Sequence, residues 1–188
     1  MKALAGAILL AAVTACGSSV AVSPPASTPT TAGTPATAAS SHAFNPTDLA
    51  WIQLMVPMDE QLLRVLAMAA KQAADPAVRG FAAQLATGHQ AELTQFVALR
   101  TRANASTTNQ HEGHDMPGMM TEPEIAALAK TSGAAFDQLL KKNLKEHLAQ
   151  SIVVARSITT AGQDPAAKRL AASITVSRAA QLKQLAAL

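Results

Sequence analysis

An internal repeat constrains the fold of this 188-residue chain more than any other feature of its sequence. Two segments align without a gap at an offset of 89 residues, so that Asp48 matches Asp137 and Asp75-Pro76-Ala77 matches Asp164-Pro165-Ala166. Each segment carries two stretches with apolar residues at helical spacing, and strand signals are absent. Two similar helical hairpins joined by a long crossover predict an all-α, four-helix bundle with approximate internal two-fold symmetry.

Three of the four predicted long helices begin with the same signal. Asn45-Pro46, Asp75-Pro76 and Asp164-Pro165 each place a capping side chain before a proline, which is favoured at the first position of a helix. The folded domain is therefore predicted to span 44–188 in three parts: a first hairpin at 44–103, a crossover with a short helix at 104–133, and a second hairpin at 134–188.

Proline and glycine predict further boundaries. Pro57 should kink the first helix or split it, because proline cannot donate the backbone hydrogen bond. Thr121 and Glu124 have the spacing of a capping box and predict a short helix to Lys130, which Gly133 ends. The predicted core consists of the apolar residues on the inner faces of the long helices: Trp51, Met55, Met58, Leu62, Val65, Leu66 and Ala69; Val78, Phe81, Ala82, Leu85, Leu93 and Phe96; Phe136, Leu140, Leu144, Leu148, Ile152, Ala155 and Ile158; Leu170, Ile174, Leu182 and Leu185.

The N-terminus has the features of a secretory leader. Lys2 precedes an apolar run at 3–12 that is too short to span a membrane as a helix. Val13-Thr14-Ala15-Cys16 resembles a bacterial lipobox, in which the cysteine becomes the lipidated first residue of the mature protein. Residues 1–15 are thus predicted to be a lipoprotein signal peptide, and Cys16 to carry acyl chains such as palmitate that anchor the protein to the extracytoplasmic face of the cell membrane. An ordinary cleaved signal with a chance cysteine is the alternative.

Composition distinguishes a tether from the folded domain. Residues 16–43 are mostly Ser, Thr, Ala, Pro and Gly, which cannot offset the entropy of folding, so they are predicted to be disordered.

The chain has 15 Lys and Arg against 12 Asp and Glu, a net charge of +3. The basic residues are scattered, and only one Trp and four Phe could stack on bases, so nucleic-acid binding is not expected.

The segment 111–120 (His-Glu-Gly-His-Asp-Met-Pro-Gly-Met-Met) concentrates potential metal ligands. It contains two of the five histidines and three of the seven methionines, and imidazole with thioether favours copper, above all Cu(I). Glycine and proline prevent a regular helix, so the segment should form a loop able to fold around an ion. A plain connector whose methionines cap the bundle is the alternative. The ligand candidates of the loop are His111, His114, Met116, Met119 and Met120.

The folded part, Phe44 to Leu188, resembles the ferritin-like bundles of the family called domain of unknown function 305. The resemblance rests on Met55-Val56-Pro57, on the loop at 116–120, on Gly133-Ala134-Ala135-Phe136-Asp137 and on the duplicated hairpin. It implies a bacterial envelope protein with a His-His pair early in each half, in a family suspected of binding copper.

A second set of candidate ligands lies in the long helices. Where the family has its two His-His pairs, this chain has Met58-Asp59 and His147-Leu148. Residues at equal distances from the tight turns of antiparallel helices share a height in a bundle. By this reasoning one layer contains Met58, Glu92, His147 and Gln181, with His89 and Arg178 about one turn away. This layer predicts either a metal site of His147, Met58, His89 and Glu92, or a polar layer in which Arg178 pairs with Glu92.

Two classes of function follow from these features. The first is a metal-handling envelope lipoprotein that binds copper or another soft metal through the His/Met loop, with the helical set as the second candidate site. The second is a lipoprotein that binds a protein partner or has a structural role, without a metal. An enzyme is not expected and no catalytic residue is assigned, because the sequence lacks a nucleophile motif, a glycine-rich phosphate loop and the paired Glu-x-x-His of a di-iron centre.

Overall fold

The computed structural model describes residues 43–188, which contain five α-helices and no strands. The helices are α1 (Pro46–Gln72), α2 (Pro76–Arg102), α3 (Glu122–Ala129), α4 (Gly133–Ala161) and α5 (Pro165–Ala186). The predicted all-α bundle is confirmed. The predicted leader, Cys16 and nearly all of the predicted tether lie outside the described residues. None of the described helices is long and apolar enough to cross a membrane.

The four long helices form a ring in which every neighbour is antiparallel. α1 packs on α2 and α4, and α5 packs on the same two helices. At one end of the bundle, the side chain of Asn45 before α1 donates to the carbonyl of Ala161 at the end of α4, at 2.7 Å. At the same end, Arg102 closes α2 and pairs with Asp164 just before α5. The crossover therefore has to return along the whole bundle before α4 begins.

Two buried aspartates display the internal symmetry. Asp48 on α1 accepts hydrogen bonds from the backbone N–H groups of residues 163 and 164, in the turn between α4 and α5, both at 3.0 Å. Its repeat mate Asp137 on α4 accepts from the N–H groups of residues 74 and 75, in the turn between α1 and α2, at 3.2 and 2.9 Å. Each hairpin therefore fixes the turn of the other hairpin.

Some local predictions are changed by the structure. α1 runs through Pro57 without interruption, so the predicted split is wrong; the buried residues on both sides of this proline hold the helix despite the missing hydrogen bond. Gly133, with a φ of +69°, is the first residue of α4 and does not close the short helix. The predicted core residues are buried, except for three that lie at the edges of the inner faces and are partly exposed: Leu93, Ile152 and Leu182.

The crossover packs against both α1 and α4. Gln61 on α1 binds the backbone of Met120 twice, donating to its carbonyl and accepting from its N–H group, both at 2.7 Å. Near the end of α1, Gln72 donates to the carbonyl of Ala129, which ends α3, at 2.6 Å. These contacts hold the His/Met loop at 111–120 beside the middle of the bundle.

Candidate metal centre

Three buried side chains from three helices meet in the middle of the bundle. Asp59 on α1, His89 on α2 and His147 on α4 are 0%, 0% and 4% exposed. Each offers a potential ligand atom, and the three atoms lie within 4.8 Å of one another. The two imidazole rings cross with their centroids 5.4 Å apart. Imidazole and carboxylate groups are common metal ligands, so this trio has the composition of a metal site.

The hydrogen bonds of the two histidines leave one nitrogen of each ring free. His147 Nδ1 lies 3.1 Å from the carbonyl oxygen of Gly118; because a carbonyl only accepts, Nδ1 carries the proton and Nε2 the lone pair. His89 Nδ1 lies 2.8 Å from Asp59 Oδ1. Within residues 43–188, both Nε2 atoms are buried without a hydrogen-bond partner. A ring held at one nitrogen by a carboxylate or carbonyl, with the other nitrogen free, is the usual arrangement of a metal-binding histidine.

Gly118 allows the crossover to approach α4 closely enough to orient His147. Its φ of +81° lies in the left-handed region, and a Cβ at this position would be 2.6 Å from the Cβ of Gln150. A side chain there would push the loop away from α4 and remove the carbonyl that holds His147. The loop and the buried trio are therefore linked by one backbone contact that requires glycine.

A permanent cation lies beside the trio. Arg178 on α5 is fully buried. Its Nη1 donates to Glu92 Oε1 at 3.1 Å and to Gln181 Oε1 at 3.3 Å, and its Nη2 donates to Glu92 Oε2. Nη2 also lies 3.2 Å from His89 Nδ1 and 4.0 Å from Asp59 Oδ1. The pairing of Arg178 with Glu92, one of the two alternatives that the sequence left open for this layer, is thus present, and it adjoins the trio.

Burial controls the protonation of the trio. It raises the pKa of Asp59 from 3.8 to about 7, against the opposing effect of Arg178. The pKa of His89 falls from 6.5 to about 3, first through burial and then through the charge of Arg178. Burial, followed by His89 and Arg178, holds the pKa of His147 well below 6.5. Both imidazoles are therefore neutral at pH 7, which is the form that binds metals.

The loop candidates border two hollows. Met119 and Met120 line a small hollow together with His147. They also line a larger one, of about 380 Å³, which Met116 does not border. The larger hollow brings together four of the five loop candidates: His111, His114, Met119 and Met120. Met119 and Met120 therefore lie near both the loop histidines and the buried His147.

The helical candidates are only partly brought together. His89 and His147 belong to the trio, whereas Glu92 binds Arg178. Met58 is buried in the apolar cluster that also contains Met55 and Phe96. Sequence reasoning missed Asp59, although the repeat carried a signal for it. The repeat aligns this aspartate with the inward-facing Leu148, so the carboxylate had to be buried and needed a partner.

A comparison with known protein families identifies the family to which the chain belongs. The family called domain of unknown function (DUF305) matches residues 48–188. The chain belongs to the DUF305 family. The resemblance inferred from the sequence is thereby confirmed. No curated protein matches the sequence.

Solved structures share this DUF305 fold. A DUF305 fragment from Deinococcus radiodurans is 17% identical, with a TM-score of 0.69 over 77% of this chain and 96% of the fragment. A DUF305 protein from Streptomyces coelicolor, predicted to be secreted, is 17% identical, with a TM-score of 0.67 over 74% and 89% of the two chains. CopM in its Cu(II)-bound form is 21% identical, with a TM-score of 0.63 over 73% and 92%; its Cu(I)-bound form gives 19% and 0.61 over 73% and 91%. At these identities the likeness establishes the fold alone.

Proposed function

We propose that this DUF305 protein is an envelope-anchored, non-catalytic copper-binding protein that holds Cu(I) in its buried trio. The observation that carries the proposal is the buried trio itself, in which His89, His147 and Asp59 each offer a ligand atom within 4.8 Å of the others, together with the Nε2 atom of each histidine, which is buried without a partner among the described residues. An unsatisfied buried polar group costs about 1–3 kcal/mol. A metal ion bound in the trio would supply the partner that a free imidazole nitrogen lacks.

The surroundings of the trio favour a soft ion. Met119 and Met120 border the same hollow as His147, and imidazole with thioether prefers copper to hard cations. CopM, which shares the fold, is described in Cu(I)-bound and Cu(II)-bound forms. These observations support copper as the ion.

The larger hollow of the crossover is a second candidate site. His111 and His114 border it together with Met119 and Met120, and this ligand set would hold Cu(I) without help from the helices. We rank it below the trio because these loop side chains are exposed or partly exposed, so that water can satisfy their polar atoms.

Titration of the purified full chain with Cu(I) under reducing conditions tests the proposal. We expect one Cu(I) per chain by native mass spectrometry. His89→Gln and His147→Gln should each lower the affinity at least about tenfold, because changes to groups that merely orient a ligand already cost 10–100-fold.

The matched control is His114→Gln, since His114 is an exposed histidine of the loop and this change should leave Cu(I) affinity unaltered. Imidazole proton NMR provides a second readout, in which Cu(I) should shift the signals of His89 and His147 but not that of His114. The reverse pattern would contradict the trio and place the site in the loop. A chain that binds no Cu(I) would contradict both sites and leave a partner-binding or structural lipoprotein as the function.

Membrane attachment is proposed from Cys16 and its lipobox. The extracytoplasmic location is supported by a family member from Streptomyces coelicolor that is predicted to be secreted. Firm anchoring takes two lipid signals, such as dual acylation. Cys16→Ala should therefore remove the protein from the membrane fraction, as measured by fractionation and by the mass of the N-terminal peptide. An unchanged membrane-bound pool would contradict the anchor.

A further inference from the structure

Arg178 holds the position in the second half that His89 holds in the first. The two residues are 89 positions apart, which is the offset of the repeat, and they approach to 3.2 Å. Repeat mates in contact lie close to the axis that relates the two halves. Glu92 and Gln181 are repeat mates too, and both bind Arg178. The core is thus symmetric in position but not in charge, since one half contributes a histidine and a carboxylate, and the other an arginine and a neutral amide.

The charges of this core set the charge of the ion that fits it. A bound metal displaces the proton of Asp59, so that Asp59 and Glu92 then supply two carboxylates, Arg178 supplies one fixed cation, and the imidazoles are uncharged ligands. The sum is one negative charge, which one monovalent cation neutralises. A divalent ion would leave one positive charge uncompensated in a region where the side chains of Asp59, His89 and Arg178 are 0% exposed. An uncompensated buried charge is strongly unfavourable.

We infer that Arg178 restricts the buried site to a single monovalent soft cation, Cu(I) or Ag(I), and disfavours divalent ions such as Zn(II). The inference rests on the proposed function, because it concerns the charge of the ion in the same trio. Arg178 stands where exact symmetry would place the counterpart of the His89 imidazole, and its guanidinium is a fixed cation beside the site. Its distance of 4.0 Å from Asp59 Oδ1 is short enough for its charge to act on an ion bound there.

Arg178→Gln tests this selection. The variant leaves two carboxylates without the compensating cation, so the core then matches a divalent ion. With Ag(I) and Zn(II) as probes, competition titrations on the purified full chain should show the ratio of the Zn(II) to the Ag(I) association constant rising at least about tenfold. A role of Arg178 confined to joining α2 and α5 would lower stability without moving this ratio.

Further variants separate charge from packing. Glu92→Gln removes a negative charge and should lower the same ratio at least about tenfold, which keeps the test available if Arg178→Gln does not fold. The double variant Arg178→Gln with Glu92→Gln removes one charge of each sign and should return the ratio to within about threefold of the wild-type value. Lys183→Gln, an exposed cation on the same helix, should not change the ratio.

The outcomes distinguish the two proposals. A wild-type chain that binds neither Ag(I) nor Cu(I) overturns the proposed function, and the inference with it. Binding of Ag(I) at the trio, with the same Zn(II)-to-Ag(I) ratio in wild type, Arg178→Gln and Glu92→Gln, overturns the inference and leaves the proposed function intact. A ratio that moves in opposite directions in the two single variants supports Arg178 as the selecting residue.

Discussion

Replacing Asp48 by alanine is expected to lower the free energy of unfolding by about 3–5 kcal/mol. The Asp48 carboxylate is fully buried and accepts backbone N–H groups from Asn45, Gln163 and Asp164, each at 3.0 Å. A buried donor that loses its acceptor costs about 1–3 kcal/mol, and alanine removes the acceptor of all three. The change should therefore loosen both the start of α1 and the turn between α4 and α5.

The internal repeat supplies the comparison for this prediction. Asp137, the repeat mate of Asp48, accepts hydrogen bonds from only two backbone N–H groups, both in a turn. Asp137→Ala should therefore lower the free energy of unfolding by about 2–3 kcal/mol. Urea unfolding followed by circular dichroism gives both values, with unchanged m-values. Asp115→Ala, at an exposed aspartate of the crossover, should stay within about 0.5 kcal/mol of wild type. A larger loss at Asp137 than at Asp48 would contradict the hydrogen-bond explanation.

The bundle can be predicted from the sequence because its determinants are local and occur twice. Asn45, Asp75 and Asp164 cap their helices with the side-chain hydrogen bonds that their sequence context indicates. Pro57 shows where such reasoning ends. The local rule predicts a break or a bend, but whether the helix continues depends on packing by the rest of the bundle, which residue spacing does not describe.

The buried trio is harder to predict because it depends on helix rotation. Equal-height reasoning places Met58 in the layer with His147, and it correctly brings Glu92 near Arg178. Adjacent helical residues differ by only 1.5 Å in height but by about 100° in direction. Height alone therefore could not choose between Met58 and Asp59. The contact from Gly118 to His147 is likewise invisible to a pattern within either segment, because it joins the crossover to α4.

In metal-free protein, the pH dependence of stability should reveal the proton shared by Asp59 and His89. Between pH 4.5 and 6 the unfolded chain has an ionised aspartate and a largely protonated histidine. In the folded protein Asp59, whose pKa is raised to about 7, keeps its proton, and His89, whose pKa is lowered to about 3, stays unprotonated. On folding, Asp59 therefore takes up one proton and His89 releases one. Their effects on the slope of stability against pH cancel. His147, whose pKa is lowered, also holds fewer protons when folded, so the trio should make stability rise with pH, by up to about 1.4 kcal/mol per pH unit.

Two single variants should move this slope in opposite directions. Asp59 holds more protons when folded, so its contribution to stability falls as pH rises towards 7; the histidines hold fewer, so theirs rises with pH up to about 6.5. Asp59→Asn removes the opposing contribution of Asp59 and should steepen the measured slope by up to about 1.4 kcal/mol per pH unit relative to wild type. His89→Gln removes a contribution that rises with pH and should make the slope shallower by up to the same amount. Arg178 and Glu92, which face the pair from α5 and α2, are present in all three proteins, so they do not account for the difference. Urea unfolding at several pH values in the presence of a chelator measures the slopes, and three equal slopes would mean that Asp59 and His89 do not form a buried, proton-sharing pair.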